Sequence, residues 1–202
     1  EYGEQFIGRS VSWSISTKGG DQARLLKVDD SGIKPPLAET ENYPNRLANV
    51  MPIPLEGKIF KRISAERDIV PEASEPNRID VRSNGAGITK AIQCFVNLSN
   101  LPSNLVEEDL LTALNEIFAH DANFNDIVCQ LHENGTWEIY LQEEQKGRIA
   151  LSKSGSGLKT VITVLVHLIL IPKIEGNSLS KYVFGFEELE NNIHPALLRR
   201  LN

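Results

Sequence analysis

Apolar and polar residues alternate between residues 9 and 16, and this period of two predicts a half-buried β-strand. A Lys-Gly-Gly-Asp turn at residues 18–21 follows, and residues 23–28 predict the second strand of a hairpin. Between residues 31 and 54 the many prolines exclude a central strand or helix. Residues 1–57 are therefore predicted to form an antiparallel β subdomain followed by a proline-rich connection.

Two helical patterns follow a short predicted strand at residues 58–64. The first helix is predicted at residues 88–96. The second begins at Val106 with acidic residues in its first turn, where the helix dipole favours them, and its apolar residues recur at spacings of one, three and four up to Phe118. Both helices belong to a predicted helical insert at about residues 85–120.

Strands and a buried helix make up the remaining pattern. The dipeptide Asn134-Gly135 is a strong hairpin signal between two predicted strands, and a third short strand is predicted at residues 148–151. An apolar helix at residues 158–170 then leads to a strand at residues 182–187. This order predicts an α/β fold for residues 58–202, with a mixed sheet that includes an antiparallel part.

The composition is that of an ordinary soluble globular protein. Of the 202 residues, 41% are hydrophobic and 24% are charged, and the formal net charge is −6. An acidic average argues against a chain that binds nucleic acid over most of its surface, although it leaves room for a local basic patch.

Cysteine usage and hydropathy indicate a cytoplasmic protein without a membrane span. The two cysteines, Cys94 and Cys129, form neither a disulfide framework nor a CxxC metal motif. The longest apolar run, residues 161–171, is shorter than the roughly 20 residues that a bilayer requires. No secretory signal opens the chain.

Two adjacent acids, Glu187 and Glu188, follow five mostly apolar residues, 182–186, at the end of the strand predicted at residues 182–187. In open α/β sheets, ligands bind at the carboxyl ends of the strands. One carboxylate there can hold Mg²⁺, usually through water, while the next orients the water that attacks a phosphate. A strand that runs out into a solvated acidic helix start gives the same pattern, so both interpretations remain open.

A Ser/Gly-rich segment at residues 151–160 opens the apolar helix. It is not a Walker A loop, which requires Gly, four residues and then Gly-Lys-Ser/Thr, because Leu158 separates Gly157 from Lys159. Backbone N–H groups and a serine hydroxyl at a helix N-terminus bind phosphate well. A plain Gly/Ser turn is the alternative. The candidate phosphate-binding residues are Ser154, Gly155, Ser156 and Gly157, and the pattern leaves open which serine contacts phosphate.

Residues 186–195, Phe-Glu-Glu-Leu-Glu-Asn-Asn-Ile-His-Pro, resemble the extended Walker B segment of ABC-type ATPase heads of the OLD and RecF-like, SMC-related class. That family typically has Glu-Glu-Pro-Glu and then Leu-His-Pro, so this chain departs from it at Leu189 and Ile193. The Ser/Gly-rich segment resembles the ABC signature loop, which precedes Walker B by one helix in the family. The resemblance covers residues 58–202 and is tight only at residues 151–160 and 181–195.

The resemblance implies a role for each candidate residue. Glu187 is the Walker B acid on Mg²⁺, and Glu188 is the catalytic glutamate. The signature loop reaches across a dimer of heads to ATP held by the other head. His194 lies near the partner head unless it only caps or packs. Arg67, in the segment Ile63-Ser64-Ala65-Glu66-Arg67, approaches phosphate or an interface unless it forms a surface salt bridge.

The expected function is part of an ATP-binding and ATP-hydrolysing head that dimerises on ATP. By resemblance, it works in a DNA repair, nuclease or phage-defence assembly with an effector subunit and DNA. No Walker A motif occurs in the 202 residues. One alternative is an ATPase-like structural or regulatory module without hydrolysis. Another is a Mg²⁺-dependent nuclease in which Glu187, Glu188 and Glu190 hold metal, which is weakened because adjacent strand residues point to opposite faces.

Overall fold

The computed structural model describes residues 10–16, 22–28, 57–73, 79–119 and 121–201, together with residues 4, 32 and 55. The chain divides into two compact units between Ile59 and Phe60. In the first unit, strands β1 (Val11–Ser16) and β2 (Gln22–Val28) pair antiparallel, as the alternating pattern predicts. The proline-rich segment at residues 31–54 lies outside the described residues, except for residue 32.

A four-stranded antiparallel sheet surrounds the Asn134-Gly135 turn. Its strands are β4 (Glu72–Ala73), β5 (Phe124–Leu131), β6 (Thr136–Glu143) and β7 (Gly147–Ala150). Strand β6 pairs with β5 on one side and with β4 and β7 on the other. At the turn, Gly135 has φ 80° and the Asn134 side chain accepts a hydrogen bond from the Thr136 N–H at 3.1 Å, which confirms the predicted hairpin.

Helices cover this sheet and differ in two places from the sequence prediction. The helix predicted from Val106 begins as a π-helical turn, Leu105–Leu110, before it continues as an α-helix. The long apolar helix begins at Ser156 and continues through Pro172 to Ile174, because a proline in the last turn removes only one hydrogen bond. The α-helices are α1 (Ile88–Asn97), α2 (Leu111–Ile117), α3 (Ser156–Ile174), α4 (Leu189–Asn192) and α5 (Pro195–Leu201).

Helix α3 is a central element of the hydrophobic core. By length and composition alone it could cross a membrane, since it has 19 residues, but 61% of its apolar window is buried inside the protein. His167 is buried with it, and its Nδ1 lies 2.8 Å from the Thr163 carbonyl oxygen. Burial lowers the pKa of His167, so the ring is neutral at pH 7 and packs within the core. Other fully buried side chains of this core are Phe95, Leu110, Leu114, Ile139, Leu141 and Leu170.

A parallel pair of strands stands apart from the antiparallel sheet. Strand β3 (Ile59–Ile63) pairs with β8 (Tyr182–Phe186), and the N–H of Glu187 donates to the Ile63 carbonyl at 3.0 Å where both strands end. The end of α3 is tied to this pair by Glu175, which accepts hydrogen bonds from Lys61 and, at 2.8 Å, from the Tyr182 hydroxyl. The protein is therefore mixed α/β, with parallel and antiparallel sheets and several helices.

Candidate functional site

Glu187 lies directly after β8, at the edge where the two parallel strands end. Its Oε1 accepts hydrogen bonds from Arg62, with distances of 2.7 Å to Nε and 2.6 Å to Nη2. Its Oε2 accepts the N–H of Ala65 at 3.3 Å. The Glu187 side chain is 40% exposed and that of Arg62 is 71% exposed. The carboxylate thus lies at the carboxyl ends of both strands, and the ion pair that it makes there is open to solvent.

Glu188 adopts a left-handed backbone conformation, with φ 46° and ψ 43°. Among the described residues, the non-glycine residues with positive φ are Leu55 and Glu188. This conformation costs a side chain-bearing residue roughly 1–2 kcal/mol. Because the strand ends at Phe186, the alternation of strand side chains does not extend to Glu187 and Glu188. The expectation that these two acids point to opposite faces therefore does not apply.

Arg67 lies against the turn formed by Glu187 and Glu188, which we call the acidic turn. Its Nη2 donates to the Glu187 carbonyl at 3.0 Å and to the Glu188 carbonyl at 3.3 Å. Among the described residues, its Nε and Nη1 are buried and have no hydrogen-bond partner. Burial lowers the pKa of Arg67, whereas the charges of Glu187 and Glu188 raise it. These bonds join a partly buried guanidinium to main-chain carbonyls, and an approach of Arg67 to phosphate or to an interface stays a prediction.

The Ser/Gly-rich segment is a short 3₁₀ turn, Leu151–Lys153, followed by the start of α3. Both the N–H and the hydroxyl of Ser154 donate to the Leu151 carbonyl, at 3.2 Å and 2.7 Å, so this serine closes the turn. Gly155 precedes the helix, and no side chain caps it. The N–H groups of Ser156 and Gly157 therefore stand at an uncapped helix start, where an α-helix leaves its first donors without intrahelical partners.

Glu138, which the sequence does not single out, holds this segment to the sheet. It is 4% exposed in the middle of β6. Its two carboxylate oxygens accept the N–H of Ser152 at 3.2 Å and the Ser152 hydroxyl at 2.8 Å. A buried carboxylate requires such partners, so an acidic residue between the apolar residues Trp137 and Ile139 is the sequence signal for this role.

An ion pair connects the first turns of α3 to the segment that carries Arg67. Lys159 Nζ lies 2.6 Å from Asp68 Oδ1, and the lysine side chain is 13% exposed. The N–H of Asp68 donates to the Asn84 carbonyl at 2.9 Å, which anchors this segment to the turn before α1. Asp68 and Arg67 are adjacent, so one short stretch of chain contacts both the acidic turn and the helix that follows the Ser/Gly-rich segment.

Close backbone packing explains why the Gly85-Ala86-Gly87 turn before α1 carries two glycines. Gly85 and Gly87 have φ 91° and 89°, and added Cβ atoms would lie 2.4 Å and 2.0 Å from the carbonyl oxygens of Asp68 and Asp80. The Glu72 carboxylate accepts the N–H of Gly87 and, at 2.9 Å, that of Lys90. A carboxylate of the chain itself thus occupies the N-terminus of this helix.

His194 caps α5. Its Nδ1 accepts the N–H of Ala196 at 3.3 Å, and its carbonyl accepts the N–H of Leu197 at 2.8 Å. The ring is exposed. His194 therefore acts as a helix cap in the structure, and a role near a second head remains a prediction.

No three acids form a metal cluster at this site. Within the described ranges, no group of three or more His, Cys, Asp or Glu side chains is placed to hold a metal ion. The nuclease alternative, in which Glu187, Glu188 and Glu190 hold metal together, stays a prediction. Comparison of the chain with protein-family models, curated proteins and solved structures finds no match.

Proposed function

We propose that this chain is the signature-loop to Walker B part of an ABC-type ATPase head of the OLD and RecF-like class. The observation that carries the proposal is the acidic turn at the common end of two parallel strands. The chain reaches this turn through an uncapped Ser/Gly loop and a long buried helix, in the order that the family uses. Its ligands would be ATP and Mg²⁺.

The residues at the strand ends fit a Mg²⁺ site of this kind. Such sites usually take one or two carboxylates and leave the other positions to water and substrate phosphates, and Glu187 supplies one partly exposed carboxylate. Its exposed pairing with Arg62 is worth about 1 kcal/mol or less, so the carboxylate can exchange partners. When bound, Mg²⁺ would neutralise charge on the phosphate oxygens.

Glu188 would act as the general base of the reaction. Its carboxylate would accept the proton of the attacking water, which requires a position within hydrogen-bond reach of that water. The left-handed backbone at Glu188 fixes the direction in which this side chain leaves the chain. Two adjacent acids can then take different roles, since Glu187 directly follows the strand and Glu188 has the left-handed backbone of the turn.

The Ser/Gly-rich segment would bind the γ-phosphate of ATP held by a second head. Its N–H groups open a 19-residue helix, whose dipole favours an anion at that end. Glu138 holds the segment through Ser152, and Lys159 holds the helix start through Asp68. A loop that acts on the nucleotide of another head makes a homodimer the working form.

The proposed partners other than a second head are inferred from the family resemblance alone. The chain would work in the cytoplasm, in a DNA repair, nuclease or phage-defence assembly. The net charge of −6 makes broad contact between this chain and DNA unfavourable, so DNA would be bound mainly by an effector subunit.

Calorimetry with ATP tests this proposal. The isolated chain is expected to show no micromolar ATP binding, because the backbone N–H groups of a Walker A loop normally cradle the phosphates and none is present. A protein in which this chain is joined to its Walker A segment is expected to bind ATP in a Mg²⁺-dependent way, with the Mg²⁺ dependence weakened by Glu187→Gln. Micromolar binding to the isolated chain, or binding to the joined protein that ignores Mg²⁺ and Glu187, would contradict the proposal.

A further inference from the structure

We propose that Arg67 is a positioning residue that sets the backbone of the acidic turn, and with it the direction of the Glu188 carboxylate. This inference rests on the proposed function of Glu188. It assigns Arg67 a role on the protein's own main chain, whereas the sequence suggested contact with phosphate or with a partner.

The geometry of the contact carries the inference. One nitrogen, Nη2, bridges two consecutive carbonyl oxygens, those of Glu187 and Glu188, at 3.0 Å and 3.3 Å. Consecutive carbonyls of an extended strand point in opposite directions, so they converge on one donor only where the backbone turns between them. The left-handed conformation of Glu188 supplies that turn. The guanidinium therefore binds the unusual conformation and not an extended one.

Burial of the guanidinium favours a functional role over a stabilising one. Nε and Nη1 are buried and meet no hydrogen-bond partner in the described part of the chain, and an unsatisfied buried donor is unfavourable. Arg67 nevertheless stays protonated at neutral pH, because a guanidinium does not lose its proton in proteins. Backbone strain such as that at Glu188 is a feature that clusters at functional sites.

Hydrogen bonds and an ion pair anchor the backbone around Arg67, and this backbone positions the guanidinium against the acidic turn. The N–H of Ser64 donates to the Ser83 carbonyl at 2.9 Å, and the two serine hydroxyls share a hydrogen bond of 2.9 Å. The Ala65 N–H contacts the Glu187 carboxylate, and Asp68 is held by Lys159. Residues 64–68 thus hold the backbone of the acidic turn and one of its carboxylates from one hydrogen-bonded segment.

Arg67→Lys keeps the charge and removes the planar fork of donors, so it tests position rather than charge. In the ATPase assembled with its Walker A segment, we expect kcat to fall roughly 10-fold while KM for ATP stays nearly unchanged, since small displacements of a catalytic group slow the chemical step. Arg67→Met should lower kcat further. Arg82→Lys, on an exposed arginine whose ion-pair partner is Asp80, is the matched control and should leave kcat unchanged.

Backbone NMR of the 202-residue chain supplies a second measurement that does not depend on turnover. The Cα shift and the HN–Hα coupling of Glu188 should report positive φ in the wild type and lose that signature in Arg67→Lys. An unchanged Glu188 backbone, or wild-type kcat in both Arg67 variants, would overturn the positioning role. If Glu188→Gln is inactive in the same assay, the proposed function survives that result, whereas an active Glu188→Gln would refute the proposed function itself.

Discussion

Glu188→Gln is expected to stop ATP hydrolysis while ATP and Mg²⁺ still bind. Glutamine keeps the shape and hydrogen-bonding capacity of the side chain but cannot accept the proton of the attacking water. Loss of a general base lowers the rate by roughly 10² or more. Because hydrolysis normally opens the head dimer, the variant should accumulate as an ATP-bound dimer. Single-turnover hydrolysis by the complete protein measures the rate, and light scattering measures the dimer.

Comparison with the neighbouring acids gives this experiment its specificity. Glu187→Gln should weaken Mg²⁺ dependence and nucleotide binding together, since this carboxylate lies at the strand ends and would hold the metal. Glu190→Gln, in the first turn of the short helix α4, should keep wild-type turnover. Near wild-type hydrolysis by Glu188→Gln would mean that the acidic turn is not a Walker B site. Equal loss in all three variants would instead favour a metal cluster.

Gly155→Glu is expected to reduce ATP hydrolysis to background without unfolding the chain. An added Cβ at Gly155 meets no atom within 4 Å, and its φ of −64° suits any residue, so the fold tolerates the change. The new carboxylate would stand at the helix start and repel a phosphate there. Steady-state turnover measures the loss, and a thermal melt with a midpoint near that of the wild type confirms the fold.

The matched control for Gly155→Glu places the same charge beyond the opposite end of α3. Ser178 is exposed in the connection after that helix, so Ser178→Glu should leave both turnover and the melting midpoint close to wild type. ATP binding to a single head should also survive Gly155→Glu, because the loop acts on nucleotide held by the other head. Wild-type turnover in Gly155→Glu would show that this loop does not contact phosphate.

Local sequence signals predict the elements of this fold but few of the contacts within the site. The hairpin at Asn134-Gly135 and the strand before Glu187 follow from residue patterns that act over a few neighbours. The contact of Arg67 with the acidic turn joins residues 120 positions apart. It also depends on the left-handed backbone of Glu188, which no residue pattern in the sequence predicts.

Two other features that the sequence did not predict have the same physical origin. The carboxylate of Glu138 selects Ser152 only after β6 and the 3₁₀ turn have packed together. The apolar run suggested that the long helix ends near Leu170, yet α3 passes through Pro172 because burial against the core outweighs one lost hydrogen bond. In each case tertiary packing determines the structure, and the local sequence shows only which side chains are present.

Mixing two inactive variants tests the central claim most directly, namely that the acidic turn of one head and the Ser/Gly loop of another form one ATPase site. In a symmetric dimer, a Glu188→Gln head paired with a Gly155→Glu head contains one site in which both defects meet and one site that is intact. An equal mixture of the two inactive proteins should therefore recover about one quarter of wild-type hydrolysis. Hydrolysis that stays at the background of the separate variants, although heterodimers form, would contradict the account.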